Sequence, residues 1–373
     1  MTSPAEEGGR PHGAGGPPHA PAPRGGPNAR TSVRIAPLAR RLLPWLVAVG
    51  CLAWAFAVVP VEALLEALAQ ASLERLVPLA VVAVVVWFLL ESAAYAYAFS
   101  RFNAPLSWRE ARSLRAVTYL LTVIHWHVAK AAVVLRLHAT HGIGLLAGTS
   151  TLLLYQMVGI LVLAVFATIG AVFRPSLPAA REVLIAALLL VLGTLIGFGL
   201  LRADRPKIGL LEELRRLTVF QAWRQLELRD LAMLCALKAA YQLVFVLVYW
   251  LGLRAFDVAL SFPHVLVATA LLQVVGGLPI APAGLGTQQA AMLLFFSDPR
   301  RAGTDAPAIL AFAFVLPFTT MVLRALLACL YLGDLARPAP PAAGTDGNPP
   351  APPSRFGVEP ASASSGSSET SRV

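Results

Sequence analysis

The chain has 373 residues, of which 57% are hydrophobic and only 13% charged. Soluble domains run near about 25% charged, so the composition excludes a soluble globular protein and predicts an all-α, polytopic membrane protein with about six spans. The net charge of +10 does not call for a nucleic acid, because the arginines flank apolar runs, as in loops that face anionic headgroups.

Residues 1–40 are rich in Gly, Pro, His and Arg and cannot bury enough apolar surface to fold, which predicts a disordered, cytoplasmic N-terminal tail. The first apolar run, 44–60, starts too far from Met1 for an ordinary signal-peptide core and is expected to remain as an anchor. Further spans are predicted at 76–100, 145–173, 182–201, 231–253 and 306–333. Arg24, Arg30, Arg34, Arg40 and Arg41 place the N-terminus in the cytoplasm, whereas Glu62, Glu66 and Glu74 outweigh Arg75 in the next, outer loop. Arg101, Arg109, Arg112 and Arg115 mark the return. Stretch 113–136 is then followed by Arg136, His138 and His141, so both of its ends lie on the cytoplasmic side. A re-entrant hairpin or an in-plane helix satisfies that constraint. Runs 145–173 and 182–201 cross twice, and the basic loop 204–230 reads as an amphipathic helix on the inner leaflet. Run 231–253 exits near Arg254 and Asp257, and 306–333 returns toward Arg337. Stretch 262–297 therefore begins and ends outside, as a second re-entrant hairpin of opposite orientation. The domain plan is a transmembrane domain over 41–336 between two disordered tails, the second being Pro/Ala/Ser-rich 337–373. Cys51, Cys235 and Cys329 each fall within a span and read as packing residues.

Two hairpins dipping from opposite faces suggest a site near the midplane. In the second, Pro279, Pro282, Gly284 and Gly286 form the turn, and Thr287, Gln288 and Gln289 open the next helix. Broken backbone at membrane depth is tolerated only where protein buries it or it lines a cavity. Helix-start N–H groups capped by Thr287 would cradle a lipid phosphate, while the bland alternative is a tight turn for close helix packing. In the first hairpin, His125, Trp126, His127 and Lys130 sit around the tip. Lys130 would counter a phosphate and the histidines would donate to it or move a proton; otherwise the segment lies in plane and its basic residues snorkel. His125-x-His127 with His138-x-x-His141 lacks an acidic or thiolate partner, so no metal is expected, nor any cofactor. Glu91 and Arg324 lie mid-span and are expected to pair or to share a cavity. Lys238 is expected to snorkel, and Tyr155, Gln156, Gln242 and Gln273 to supply interhelical hydrogen bonds. No GxSxG, HExxH, P-loop or CxxC pattern occurs, so an enzyme is not the first reading.

The run from Pro279 to Gln289, PIAPAGLGTQQ, resembles the P-x-x-PGGLG-x-x-E signature of the lysylphosphatidylglycerol synthase transmembrane-region family, also called flippase-like. Ala283 replaces a glycine of that pattern, and Gln289 stands where glutamate is usual. Lys130 ahead of Gly142-Ile143 is similar to the family's first re-entrant region. The likeness covers roughly residues 44–333. It implies a lipid-translocating module of a bacterial cytoplasmic membrane, which in bifunctional relatives moves aminoacylated phosphatidylglycerol. Stand-alone relatives are thought to handle lipid-linked sugars or other anionic lipids, and no aminoacyl-transferase activity is expected here. Gln289 weakens the case for a proton-coupled step at that position. The expected ligand is thus an anionic membrane lipid, held between Lys130, His125 and His127 on one hairpin and Gly284–Thr287 on the other. The rivals are a non-transporting membrane partner of a glycosyltransferase or other envelope enzyme, and a transferase acting on a polyprenyl-phosphate lipid with a histidine base. The candidate protein partners are a second copy of the chain, as a homo-oligomer, or a glycosyltransferase.

Overall fold

The computed structural model describes residues 35–124, 126–175, 180–202, 217–277, 284–297, 302–331 and 333. The predicted tails, His125, Pro279, Pro282 and most of loop 204–230 lie outside the described residues, as does the His127 side chain. Within them, twelve α-helices and no strand occur. They are α1 (Ile35–Val58), α2 (Val61–Gln70), α3 (Leu73–Phe102), α4 (Trp108–Ile124), α5 (Trp126–His141) and α6 (Leu145–Phe173). Then come α7 (Ala180–Arg202), α8 (Gln221–Gln225), α9 (Leu228–Arg254), α10 (Phe262–Gly277), α11 (Thr287–Phe296) and α12 (Ala302–Cys329). Helices α3, α6, α7, α9 and α12 are long and apolar enough to cross a membrane. The packed unit starts at Pro44. Its first span, Trp45–Val58, bends by 79° into α2, because Pro60 has no N–H to continue the helix. Where an outer loop was predicted, α2 packs on α12 instead.

Helices α3 and α9 run antiparallel and are pinned at both ends. At one end, Tyr97 Oη (2.8 Å) and Arg101 Nε (3.1 Å) donate to the fully buried Asp230, and Arg101 also reaches Glu227 at 3.0 Å. Asp230 Oδ2 accepts from the Glu227 amide at 3.1 Å, closing the first turn of α9. At the other end the Ser72 amide donates to the Ala255 carbonyl at 2.9 Å. These contacts define an Arg101 end and an Arg254 end of the bundle.

Stretch 113–136 falls within a helical hairpin, α4 and α5, whose base lies at the Arg101 end. Five residues separate α4 from α3, and at the α4 start Ser107 and Glu110 form a reciprocal capping box, with the Ser107 amide 2.8 Å from Glu110 Oε2. Glu110 also lies 3.4 Å from His141, the last residue of α5, so the hairpin returns to the level at which it began. Partial burial opposes ionisation of Glu110, but hydrogen bonds from the Ser107 hydroxyl and amide, with His141 nearby, hold its carboxyl below the usual range. Gly142, at φ 66°, ends α5 and its amide donates to the His138 carbonyl.

Helix α6 carries the chain from there to the Arg254 end, where Arg174 donates to Ser261 at 2.9 Å. The second hairpin, α10 and α11, starts at that point. His264 Nε2 sits 2.9 Å from the Phe295 carbonyl, tying its two feet together. The two hairpins thus enter from opposite ends of the bundle. Small residues permit the closest packing: a Cβ on Gly170 would lie 2.7 Å from the Pro263 carbonyl, and one on Gly252 would lie 2.6 Å from the Phe312 ring. Gln273 on α10 donates to Gln242 on α9 at 2.9 Å, as expected of an interhelical bond. The described part of loop 204–230 is no single surface helix. After a 3₁₀ turn, α8 tucks Trp223 and Ala222 against α6, and α9 begins at Leu228.

This arrangement fixes an accessibility pattern. In a cysteine-free background, Ala139→Cys and Ala259→Cys, both exposed at hairpin feet, should be labelled by an impermeant thiol reagent from opposite faces of the membrane. Labelling of both from one face would contradict the fold.

Candidate functional site

Glu91 lies eleven residues from the end of α3, so the helical rise puts its Cα about 16 Å inside the bundle, near half of a hydrocarbon core about 30 Å thick. An isolated carboxylate there is costly, and its neighbours show how the fold handles it. Arg115 of α4 forms an ion pair with Glu91, Lys238 Nζ of α9 lies 3.8 Å away, and Tyr155 Oη of α6 donates to it at 3.1 Å. All three charged side chains are only 11–12% exposed. Lys238 also stands 3.4 Å from the centroid of the Tyr155 ring and 5.7 Å from that of Tyr241. Its alkyl chain runs past Gly159, where a Cβ would sit in ordinary contact at 3.6 Å from Lys238 Cε.

Arg324 enters from α12 and stacks within 5.5 Å of Trp87 and 5.3 Å of Tyr119, while Arg115 covers the other reach of Tyr119 at 4.4 Å. Lys130 stands half-buried on α5, the other leg of the same hairpin. Helical spacing assembles the group: Trp87 with Glu91, Arg115 with Tyr119, and Lys238 with Tyr241 share faces at i,i+4 or i,i+3. Arg115 and Lys238 thus flank the one carboxylate while Arg324 stands against the Trp87 and Tyr119 rings, and the side-chain donors Trp87 Nε1, Arg115 Nε, Tyr119 Oη and Arg324 Nε are buried without a hydrogen-bond partner. Such a cluster has donors to spare and few acceptors, so chemically it suits an anion.

The second hairpin is built differently. Gly284 and Gly286 hold φ of 73° and 77°, values that side chains disfavour, and a Cβ on Gly286 would collide with the Ala48 carbonyl of α1. Gly286, not Thr287, is the N-cap of α11. The Thr287 hydroxyl donates back to the Gly284 carbonyl at 3.1 Å, and Gln288 packs beside Gly276 and Gly284. Buried Gln289 accepts from the Gly286 amide at 2.8 Å and donates to the Ala313 carbonyl of α12 at 3.4 Å. Ala313 lies four residues before Pro317, which has no N–H to give it. Gln289 thus supplies the donor that the proline withholds.

The family profile described as Lysylphosphatidylglycerol synthase TM region matches residues 41–328. The chain belongs to that family. It is a multi-pass membrane protein of a lipid-handling family, and no curated protein and no solved structure matches it.

Several sequence expectations are corrected by this geometry. Among the described residues Glu91 is paired with Arg115 and Lys238, not with Arg324, because α4 and α9 present their cations at its depth while Arg324 turns to Trp87 and Tyr119. Lys238 does not snorkel; ten residues into α9, it points to Glu91. Lys130 lies on α5 of the first hairpin, and Gly284–Thr287 lead into α11 of the second. The described legs α4 and α5 pack mainly on α3, α6 and α12, whereas α10 and α11 pack mainly on α6, α9 and α12. Arg115 was legible only as a marker of a basic loop, although its position seven residues into a hairpin leg already places it below the surface. Among the described residues no group of three or more His, Cys, Asp or Glu could hold a metal ion.

Two stability measurements follow. Glu91→Leu strands buried cations and should cost about 3–5 kcal/mol, read as a large drop in apparent Tm, and Glu91→Leu with Lys238→Met should recover part of it. Gln289→Glu, the family's usual residue, loses the donor to Ala313 once ionised and should cost about 1–3 kcal/mol at neutral pH. An unchanged Tm for either single variant would refute the corresponding contact.

Proposed function

We propose that this protein moves an anionic lipid between the two leaflets of its membrane, the headgroup phosphate passing through the cluster of Arg115, Lys130, Lys238 and Arg324 while the acyl chains stay in the surrounding lipid. The observation that carries this reading is the buried excess of Arg115, Lys238 and Arg324 over Glu91 at mid-bundle depth. A bare phosphate meets a barrier in hydrocarbon because it loses its hydration, and buried cations with aromatic walls replace that hydration. Glu91 is the resident counter-anion, so the cluster is never left with its cations bare, and the incoming phosphate joins it as a second anion. Helices α4 and α5, which bring Arg115 and Lys130, are footed at one end of the bundle only. Hairpin α10–α11, footed at the other end and held to α12 by Gln289, makes the fixed frame. Membership of a lipid-handling family supports the same reading.

Reconstitution into vesicles carrying labelled phosphatidylglycerol tests it. The wild-type chain should move that lipid across the bilayer, and Lys130→Met with Lys238→Met should slow it by about tenfold or more, the loss of one to two charge-assisted bonds. Transport by the double variant at the wild-type rate, or none by the wild type, would overturn the proposal.

A further inference from the structure

Resting on that reading, we infer that the lipid this cluster is built for carries a phosphomonoester or diphosphate headgroup, with two or more negative charges, rather than a singly charged phosphodiester. Charge is the first argument. Arg115, Lys238 and Arg324 set three positive charges against the single carboxylate of Glu91. A phosphodiester brings one negative charge, which leaves the balance positive in a medium that penalises residual charge. A phosphomonoester brings about −1.5 to −2 near neutral pH, and a diphosphate more.

Hydrogen bonding is the second argument, and it is independent of the first. Trp87 and Tyr119 are each 2% exposed, yet Trp87 Nε1 and Tyr119 Oη have no hydrogen-bond partner, and neither has Arg115 Nε or Arg324 Nε. The four groups are neighbours, because Arg324 lies against both rings and Arg115 against that of Tyr119. They cannot satisfy one another: indole and guanidinium are donors only, one phenol oxygen cannot serve all of them, and the acceptor nearest to them, Glu91 Oε2, is already engaged by Arg115 Nη2. Buried donors without acceptors are costly, so the arrangement matches a ligand rich in acceptor oxygens. A phosphomonoester presents three terminal oxygens and a diphosphate more, while a phosphodiester presents two. Arginine forks suit such groups because they grip two oxygens at once.

Binding of short-chain lipids to the purified full-length protein in detergent tests this, with dihexanoyl phosphatidic acid as the phosphomonoester probe and dihexanoyl phosphatidylglycerol as the phosphodiester. Near about pH 8, where the phosphomonoester is doubly charged, phosphatidic acid should bind at least about tenfold more tightly. Trp87→Phe with Tyr119→Phe keeps ring shape and removes two donors, and should shrink that ratio toward one with a smaller change for phosphatidylglycerol. Arg324→Gln should do the same if the double variant fails to fold. Equal affinity for the two lipids, or a ratio that none of these variants moves, would overturn the headgroup assignment and leave lipid movement standing. Binding of neither would overturn the proposed function itself. Displacement of the lipid by an equal concentration of inorganic phosphate would assign the cluster to a soluble anion and overturn the lipid form of the proposal.

Discussion

Charge buried in an apolar bundle must be answered by charge, and the centre of this protein is organised around that demand. Glu91 would not persist at the depth of α3 without Arg115 and Lys238 beside it. Those two cations arrive on different elements, one on a hairpin leg and one on a spanning helix. Satisfying the carboxylate therefore draws α3, α4, α6 and α9 together, and Arg324 adds α12 through Trp87 and Tyr119. The fold answers the carboxylate more than once over. Under the proposed function, that surplus is what makes room for a second anion.

Backbone satisfaction is the companion constraint. In lipid no water repairs a broken helix, so the Gly/Pro-rich start of α11 must be completed by protein. Positive φ at Gly284 and Gly286, contact with the Ala48 carbonyl, and the two-way bonding of Gln289 achieve this. The same glutamine repairs α12 at Ala313, where Pro317 leaves a carbonyl without its helical donor. A turn that looked like a ligand cradle is, in its described residues, largely engaged with its own neighbours. The cation cluster, by contrast, keeps buried donors without hydrogen-bond partners.

Much of the fold was legible from hydropathy and arginine placement. The six predicted spans correspond to α1, α3, α6, α7, α9 and α12, and the charge argument also predicted that 113–136 and 262–297 double back. Arginine placement is read directly from a linear sequence, because the bias attaches to whole loops and not to one face of a helix. Azimuth around a helix is another matter. Lys238 reads as a snorkelling residue until the packing of α9 on α3 turns it toward Glu91, and the α9 sequence shows no amphipathic stripe to reveal that face. Arg115 was read as a loop marker for the same reason. The role of Gln289 depended on the register between α11 and a proline 28 positions later, a relation that only tertiary structure supplies.

The most direct measurement is the distance between the phosphorus of a bound lipid and the arginine side chains. Solid-state dipolar recoupling between ³¹P and ¹⁵N, on arginine-labelled protein in bilayers of phosphatidic acid and phosphatidylcholine, reads it without reference to activity. The account predicts a resolved contact of about 4 Å or less, as charge-assisted hydrogen bonding requires, which disappears when Arg115 and Arg324 are both replaced by glutamine. A contact that survives their replacement, or none in the wild-type protein, would contradict a phosphate held at the centre of the bundle.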